Sequence, residues 1–287
     1  MNEYILQVEE ISKTFSNGKK ALNNVSFSLS HGQILGVVGE NGAGKTTIIR
    51  CILNSLIPET GKVLFFGKES SRKQFELRQK IGAVYDENCF FDRFTPDNIS
   101  SIMKKIYIDW DPEKFISYRQ RFNIPANTVI GSMSKGTQVK LCLAVALSYS
   151  PQILILDEIT SCLDPVSKAD VLSLFKHYVE SGKNSVLFST HSVDDLEKIA
   201  NCIAFVVGGE IVLNVELKDL KTNFGIVRCP EDQYQLIKSE KTGIACLYND
   251  GKVDVLVSNK KEYCERYCVK KPTIDETLRI LSRGERL

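Results

Sequence analysis

Apolar and polar positions alternate over residues 25–29, and short apolar-rich runs bounded by polar residues recur at 5–11, 33–38 and 63–66. Such runs predict strands, because successive side chains of a strand point to opposite faces. Residues 46–53 interrupt them with helical spacing. After another apolar run at 81–84 the period lengthens, and residues 96–150 space their apolar positions for helices, with breaks at Pro112, Pro125 and Gly131. A mostly helical insert over about residues 88–150 is expected. Strand and helix then alternate: 153–156, 185–189 and 203–207 predict strands, 165–181 and 193–200 helices. That rhythm predicts a parallel sheet, whose neighbouring strands need a crossover to join them.

Gly208-Gly209 predicts a turn and residues 210–213 an edge strand. Beyond about residue 222 the texture changes. Residues 225–229, 243–248 and 252–257 predict short strands, Asn249-Asp250-Gly251 a hairpin turn, and 274–282 a closing helix. The expected division is a large unit over residues 1–221 and a small α+β accessory unit over 222–287. A chain of 287 residues is long enough for both.

Charge and cysteine usage narrow the partners more than the fold. The 37 basic and 35 acidic residues nearly cancel, so nucleic acid is not expected as a partner. The nine cysteines are odd in number and contain no Cys-x-x-Cys pair, which predicts reduced thiols rather than a disulfide framework. Cys264 and Cys268 are spaced by one helical turn, but with no second pair or nearby His no metal site is expected there. No apolar run approaches the roughly 20 residues that span a bilayer, and the first residues lack the layout of a secretory signal. A soluble, cytoplasmic chain is expected.

Candidate chemistry concentrates at strand ends. Gly39-Glu40-Asn41-Gly42-Ala43-Gly44-Lys45-Thr46-Thr47 fits the pattern G-x-x-x-x-G-K-[ST] between an expected strand and an expected helix. In such a loop consecutive backbone N–H groups converge on phosphate oxygens, aided by the positive end of the following helix. Lys45 would neutralise the β and γ phosphates and Thr46 would hold Mg²⁺ through its hydroxyl. The apolar run 153–156 ends in Asp157 and Glu158, two carboxylates at the edge where open parallel sheets bind ligands. Asp157 suits Mg²⁺, and Glu158 suits a general base that polarises water.

With these motifs in order, the chain resembles the ATP-binding cassette (ABC) family over roughly residues 7–215. Met133-Ser134-Lys135-Gly136-Thr137 stands at the place of the family's LSGGQ segment, with Ser134 and Gly136 matching it. The resemblance implies that Ser134 and Gly136 act in trans on nucleotide held by a second ATP-binding subunit in a head-to-tail dimer, homo- or heteromeric. Ser161-Cys162-Leu163-Asp164 resembles the D-loop, so Asp164 is implied at the same interface. His191 stands where the family's switch histidine follows a core strand, and Phe15 where an aromatic stacks on adenine. The implied fold is α/β, a P-loop NTPase core with a parallel sheet, an N-terminal antiparallel β subdomain, a helical insert and a small α+β appendage. The implied cofactors are ATP and Mg²⁺. The implied partner is a separate membrane permease, which would hold the chain peripherally on the inner face of the membrane.

Three departures from the family pattern stand out. Asp86 occupies the usual Gln position after residues 81–85; a carboxylate can meet Mg²⁺ or its waters but adds negative charge and cannot donate as an amide does. Weaker or more tightly gated hydrolysis is expected from it. Lys135 and Thr137 replace Gly and Gln of the trans segment, and Ile159 replaces a Pro. Lys135, the stretch Phe90-Phe-Asp-Arg-Phe94-Thr-Pro and Trp110-Asp111 are similar to bacterial ABC-2 type exporter subunits, although Trp110 also reads as a buried anchor. A soluble cassette protein of translation or DNA repair is the runner-up. A GTPase is disfavoured because Asn259-Lys260-Lys261-Glu262 lies outside the core and ends in Glu.

Overall fold

The computed structural model describes residues 3–71, 74–239, 243–249 and 251–287. Asp250, the centre of the expected hairpin turn, and the first two residues of the chain lie outside that set. In chain order the elements are β1 Tyr4–Thr14, β2 Lys20–Ser30, β3 Ile34–Val38, α1 Lys45–Ile52, β4 Thr60–Phe65, β5 Lys68–Glu69, α2 Phe75–Arg78 and β6 Ile81–Val84. There follow α3 Pro96–Ile106, α4 Pro112–Arg121, α5 Lys135–Leu147, β7 Ile153–Asp157, α6 Pro165–Val179, β8 Ser185–Thr190, α7 Val193–Ile199, β9 Cys202–Val207 and β10 Glu210–Glu216. The chain closes with α8 Leu217–Thr222, β11 Gly225–Cys229, α9 Glu231–Ser239, β12 Gly243–Asn249, β13 Lys252–Val257, β14 Val269–Lys270, α10 Ile274–Arg283 and β15 Glu285–Arg286.

Among the described residues the strands form three sheets. The first is antiparallel, in the order β2-β1-β4-β5. The second has the order β10-β9-β3-β8-β7-β6 and is parallel except for its edge strand β10. Every residue of β3, β7 and β8 is buried, as expected of central parallel strands covered on both faces. Their register sets the functional edge. Val38 pairs with Thr190 and Asp157 with Ser189, so the loops leaving β3, β7 and β8 emerge side by side.

The helical insert appears as α3, α4 and α5. Thr95 and Asn98 form a capping box on α3, and Asp111 accepts from the backbone N–H of Glu113 and Lys114 to cap α4. Trp110 is buried, its ring 5.4 Å from that of Phe115, so the anchor reading describes its position. Helix α5 is buried at Val139 and at each residue from Leu141 to Leu147, which explains why it lacks a polar stripe.

The third sheet, β14-β11-β13-β12-β15, is antiparallel. Its alternate residues serve two cores. Val227, Cys229, Val253 and Val255 pack with Tyr234 and Ile237 of α9. Ile226, Ala245 and Leu256 belong instead to the cluster that holds Ile280 and Leu281 of α10 together with Leu196, Ile199 and Phe205 of the main sheet's layer. The C-terminal residues therefore share apolar core with the rest of the chain. The expected closing helix is present as α10, whereas helix α9 was not expected; Pro230-Glu231-Asp232 is a helix-start pattern, and its apolar Tyr234 and Ile237 fall on one face. Cys264 and Cys268 lie in turn and irregular structure, not on a helix.

Candidate nucleotide-binding site

The loop after β3 ends at Gly44, whose φ of 115° is open to glycine and strained for other residues. Gly44 is also the N-cap of α1 and offers no side-chain acceptor, so the first N–H groups of α1 are left for another anion or acceptor. Lys45 opens the helix and is 4% exposed. Its Nζ donates to the carbonyls of Gly39 at 2.9 Å and Glu40 at 3.3 Å, and lies 3.1 Å from Glu158 Oε1. The buried ammonium is held at the helix N-terminus by two loop carbonyls and one carboxylate, which balance its charge.

Across the sheet edge, Asp157 is 2% exposed and accepts from Ser189 Oγ at 2.6 Å. Burial raises its pKa, against the hydrogen bonds of Ser189 and Thr46 that favour the charged form. Glu158 has a φ of 51°, and its N–H donates to the Ser189 carbonyl at 3.0 Å. Its carboxylate bridges two side chains: Oε1 meets Lys45, and Oε2 lies 2.9 Å from His191 Nδ1. Burial would lift the Glu158 pKa, but the contacts with His191 and Lys45 outweigh it and hold the carboxyl below its ordinary value.

Gly44, Lys45, Asp157 and Glu158 face an open cleft of about 490 Å³ lined also by Phe15, Asn41, Gly42, Thr46, Thr47 and Asp86, while His191 stands behind Glu158 and outside the lining. The volume lies in the range of small-molecule sites. The donor set fits ATP with Mg²⁺: an uncapped helix N-terminus and a buried lysine for phosphates, and the oxygen ligands Thr46, Asp157 and Asp86 for a hard cation. Phe15 is 39% exposed at the cleft wall, where a base could stack. Glu40 turns away from the phosphate side toward Ser282 Oγ and Arg283 Nε, each 3.3 Å from its Oε1.

The residues expected to act in trans stand outside this cleft. Ser134 caps α5, its Oγ accepting from the N–H of Thr137 at 3.2 Å. Gly136 packs against the chain after β7, and a Cβ there would lie 2.6 Å from the carbonyl of Cys162. Asp164 is exposed and caps α6 by accepting from Val166 and Ser167 N–H. Asp86 links the two sets, because its Oδ2 lies 3.5 Å from Lys135 Nζ.

Ser189 is a site residue that sequence reasoning missed. In the sequence it is simply the last position of the expected strand 185–189, and nothing local marks it as the partner of Asp157 and Glu158. Lys20, at the start of β2, also lines the cleft and was not anticipated. No group of three or more His, Cys, Asp or Glu is arranged to hold a metal among the described residues. Likewise, no helix of the described residues is long and apolar enough to cross a membrane.

Comparison with known proteins gives a consistent result. The family model described as "ABC transporter" matches residues 22–161. The phosphonates import ATP-binding protein PhnC of Treponema denticola is 30% identical over 248 residues, covering 77% of this chain and 97% of that protein. The ABC transporter ATP-binding protein YtrB of Bacillus subtilis is 29% identical over 220 residues, covering 77% of this chain and 75% of that protein. In fold, the chain is similar to a solved dimeric, post-hydrolysis ATP-binding cassette bound to ADP and Pi, with a TM-score of 0.67 and 22% identity over 74% of this chain and 98% of the other. With a phosphate loop, an acidic strand end and a relative matched over nearly its whole length, this chain belongs to the ABC transporter family as an ATP-binding, ATP-hydrolysing subunit.

Proposed function

We propose that this chain drives an exporter of the ABC-2 type through a separate membrane permease, and that the cleft binds ATP with Mg²⁺. The observation that carries the ATP reading is the buried Lys45 bridged through Glu158 to His191. Lys45 would exchange its carboxylate partner for phosphate oxygens, which frees Glu158 to accept a proton from water as general base. His191 would keep Glu158 oriented and donate toward the phosphoryl oxygens. Thr46, Asp157 and Asp86 would hold Mg²⁺, which when bound neutralises phosphate charge. Phe15 would stack on adenine, and residues 39–47 (Gly39, Glu40, Asn41, Gly42, Ala43, Gly44, Lys45, Thr46 and Thr47) would cradle the phosphates. Ser134, Gly136 and Asp164 would complete the site on a second ATP-binding subunit in a head-to-tail dimer.

Export rests on Lys135, the 90–96 stretch and Trp110-Asp111; the relatives include proteins named for import, so the direction needs its own test. The segment around 86–94, between core and insert, is the docking groove we assign to the permease. Affinity purification from solubilised membranes is expected to recover an integral membrane chain, and recovery with ribosomes or DNA instead would sink the transport reading. In the reconstituted complex, export predicts that ATPase is stimulated by compounds supplied on the ATP side. Stimulation only from the opposite side would reverse the direction.

A further inference from the structure

The segment that follows β6 runs along α5 and touches it at two named places. Asp86 Oδ2 lies 3.5 Å from Lys135 Nζ, and Cys89 Sγ lies 3.9 Å from Cys142 Sγ. Lys135 and Cys142 are seven residues apart on α5, about two turns, and so share a face. The two thiols differ in setting. Cys142 is buried in a packed helix, whereas Cys89 is exposed on the irregular segment between β6 and α3. Asn88 braces the turn that presents Cys89, its side chain accepting from Phe90 N–H and donating to Phe90 O, both at 2.9 Å. A disulfide requires sulfurs about 2.05 Å apart, so closure asks for an approach of roughly 1.9 Å, within reach of an irregular segment over a fixed helix.

We propose that Cys89 and Cys142 are a peroxide-reactive dithiol, a modification site that closes to a disulfide and pins the segment after β6 onto α5. Cys89 is the attacking member because it is exposed to oxidant while Cys142 is buried, and the contact with Cys142 favours its thiolate against the opposing effect of burial. Its partner Cys142 shifts the other way, through the same contact and through burial. Hydrogen peroxide is the oxidant. The Cys89 thiolate attacks one peroxide oxygen, the O–O bond breaks, and the departing hydroxide takes a proton to leave as water, with sulfur oxidised to sulfenic acid. The Cys142 sulfur then attacks the sulfenic sulfur, the S–S bond forms, the S–O bond breaks, and hydroxide leaves with the Cys142 proton as a second water. Two thiols are oxidised by two electrons in total and one peroxide is reduced. The pinned segment begins at Asp86, which lines the nucleotide cleft, so the lock would slow ATP turnover without touching the phosphate loop.

The test uses the full chain carrying Cys264→Ser and Cys268→Ser, which removes the exposed pair that could compete. After stoichiometric hydrogen peroxide, peptide mass mapping is expected to find Cys89 joined to Cys142, with the parent peptides restored by dithiothreitol. ATPase activity is expected to fall several-fold and to recover on reduction, while a Cys89→Ser variant stays insensitive. In a Cys142→Ala variant, Cys89 is expected to stop at sulfenic acid and to be trapped by dimedone; should that variant not fold, the mapping in the parent decides. The proposal is overturned when both cysteines alkylate fully after denaturation of oxidised protein, or when the disulfides formed join other cysteines.

Discussion

Lys45 and Lys135 each open a helix beside a carboxylate, yet the two helix ends are built for different work. At α1 the N-cap is Gly44 with no side-chain acceptor, and the lysine is 4% exposed against a Glu158 side chain 22% exposed. At α5 the N-cap is Ser134, whose hydroxyl accepts from a backbone N–H, and the lysine is 55% exposed against an Asp86 side chain 42% exposed. The first end is an anion pocket enclosed by its own chain. The second is largely exposed and its lysine is ion-paired with the half-exposed Asp86, which suits the trans role proposed above. Enclosure also separates the energies: a charge pair out of water is costly to break, whereas an exposed pair contributes little and is screened by salt.

The largest effect should come from breaking the enclosed end. Lys45→Ala removes the buried cation and leaves Glu158, among the described residues, with His191 alone opposite its carboxylate. ATPase kcat/KM should fall by about 10²–10³-fold, the loss typical of a preorganised charge-stabilising group, and fluorescent ATP analogues should bind more weakly. A fall of twofold or less would mean that the loop's backbone N–H groups hold the phosphates without Lys45.

Next in size is Glu158→Gln, which keeps the shape and removes the proton acceptor. Turnover should drop by about 10²-fold or more, while ATP still drives dimerisation, measured by light scattering. The nucleotide-free protein offers a second readout. The Glu158 carboxyl is held below its reference value of 4.5, so its stabilisation is fully present above pH 4.5 and is lost as pH falls through the lowered folded-state pKa. Melting temperatures of wild type and variant should therefore differ above pH 4.5 and converge below it. A constant gap across that range would assign the difference to packing rather than to ionisation.

The same contrast explains what was readable in advance. The enclosed end is legible because its parts are contiguous: strand, glycine loop, Lys45 and Thr46 occur within a few residues, and the apolar run ending in Asp157 and Glu158 announces its own edge. What stayed hidden depends on register between distant segments. Ser189 reaches Asp157 across 32 residues only because β7 and β8 pair as they do. Gly136 matched a family letter, but its close approach to the Cys162 carbonyl belongs to packing between α5 and the chain after β7. Asp86 and Lys135 each read as a separate departure, and nothing in the spacing of 49 residues marked them as neighbours. In the C-terminal part the pattern pointed to strands, turns and one closing helix, and it hid α9 and the core that part shares with α7 and β9.

The smallest expected effect is the most informative about the outward-facing end. A double-mutant cycle of Asp86→Ala and Lys135→Ala in the nucleotide-free protein should give a coupling of about 0.2–1 kcal/mol, as for exposed pairs. It should vanish near 1 M salt, where the Debye length is about 3 Å. The exchanged variant Asp86→Lys with Lys135→Asp should restore it. In the ATP-driven dimer the two residues should part company. If Lys135 there faces the partner's phosphates, Lys135→Ala should weaken dimerisation about tenfold, as expected for a charge-assisted hydrogen bond of roughly 1.5 kcal/mol. At saturating ATP and Mg²⁺, where lost Mg²⁺ affinity at Asp86 is compensated, Asp86→Ala should not follow it, because removing the carboxylate leaves the ammonium free to act on the partner's nucleotide. Equal losses from both substitutions would show that the pair works as one brace between the segment after β6 and α5, and that the likeness between the two helix ends stops at their lysines.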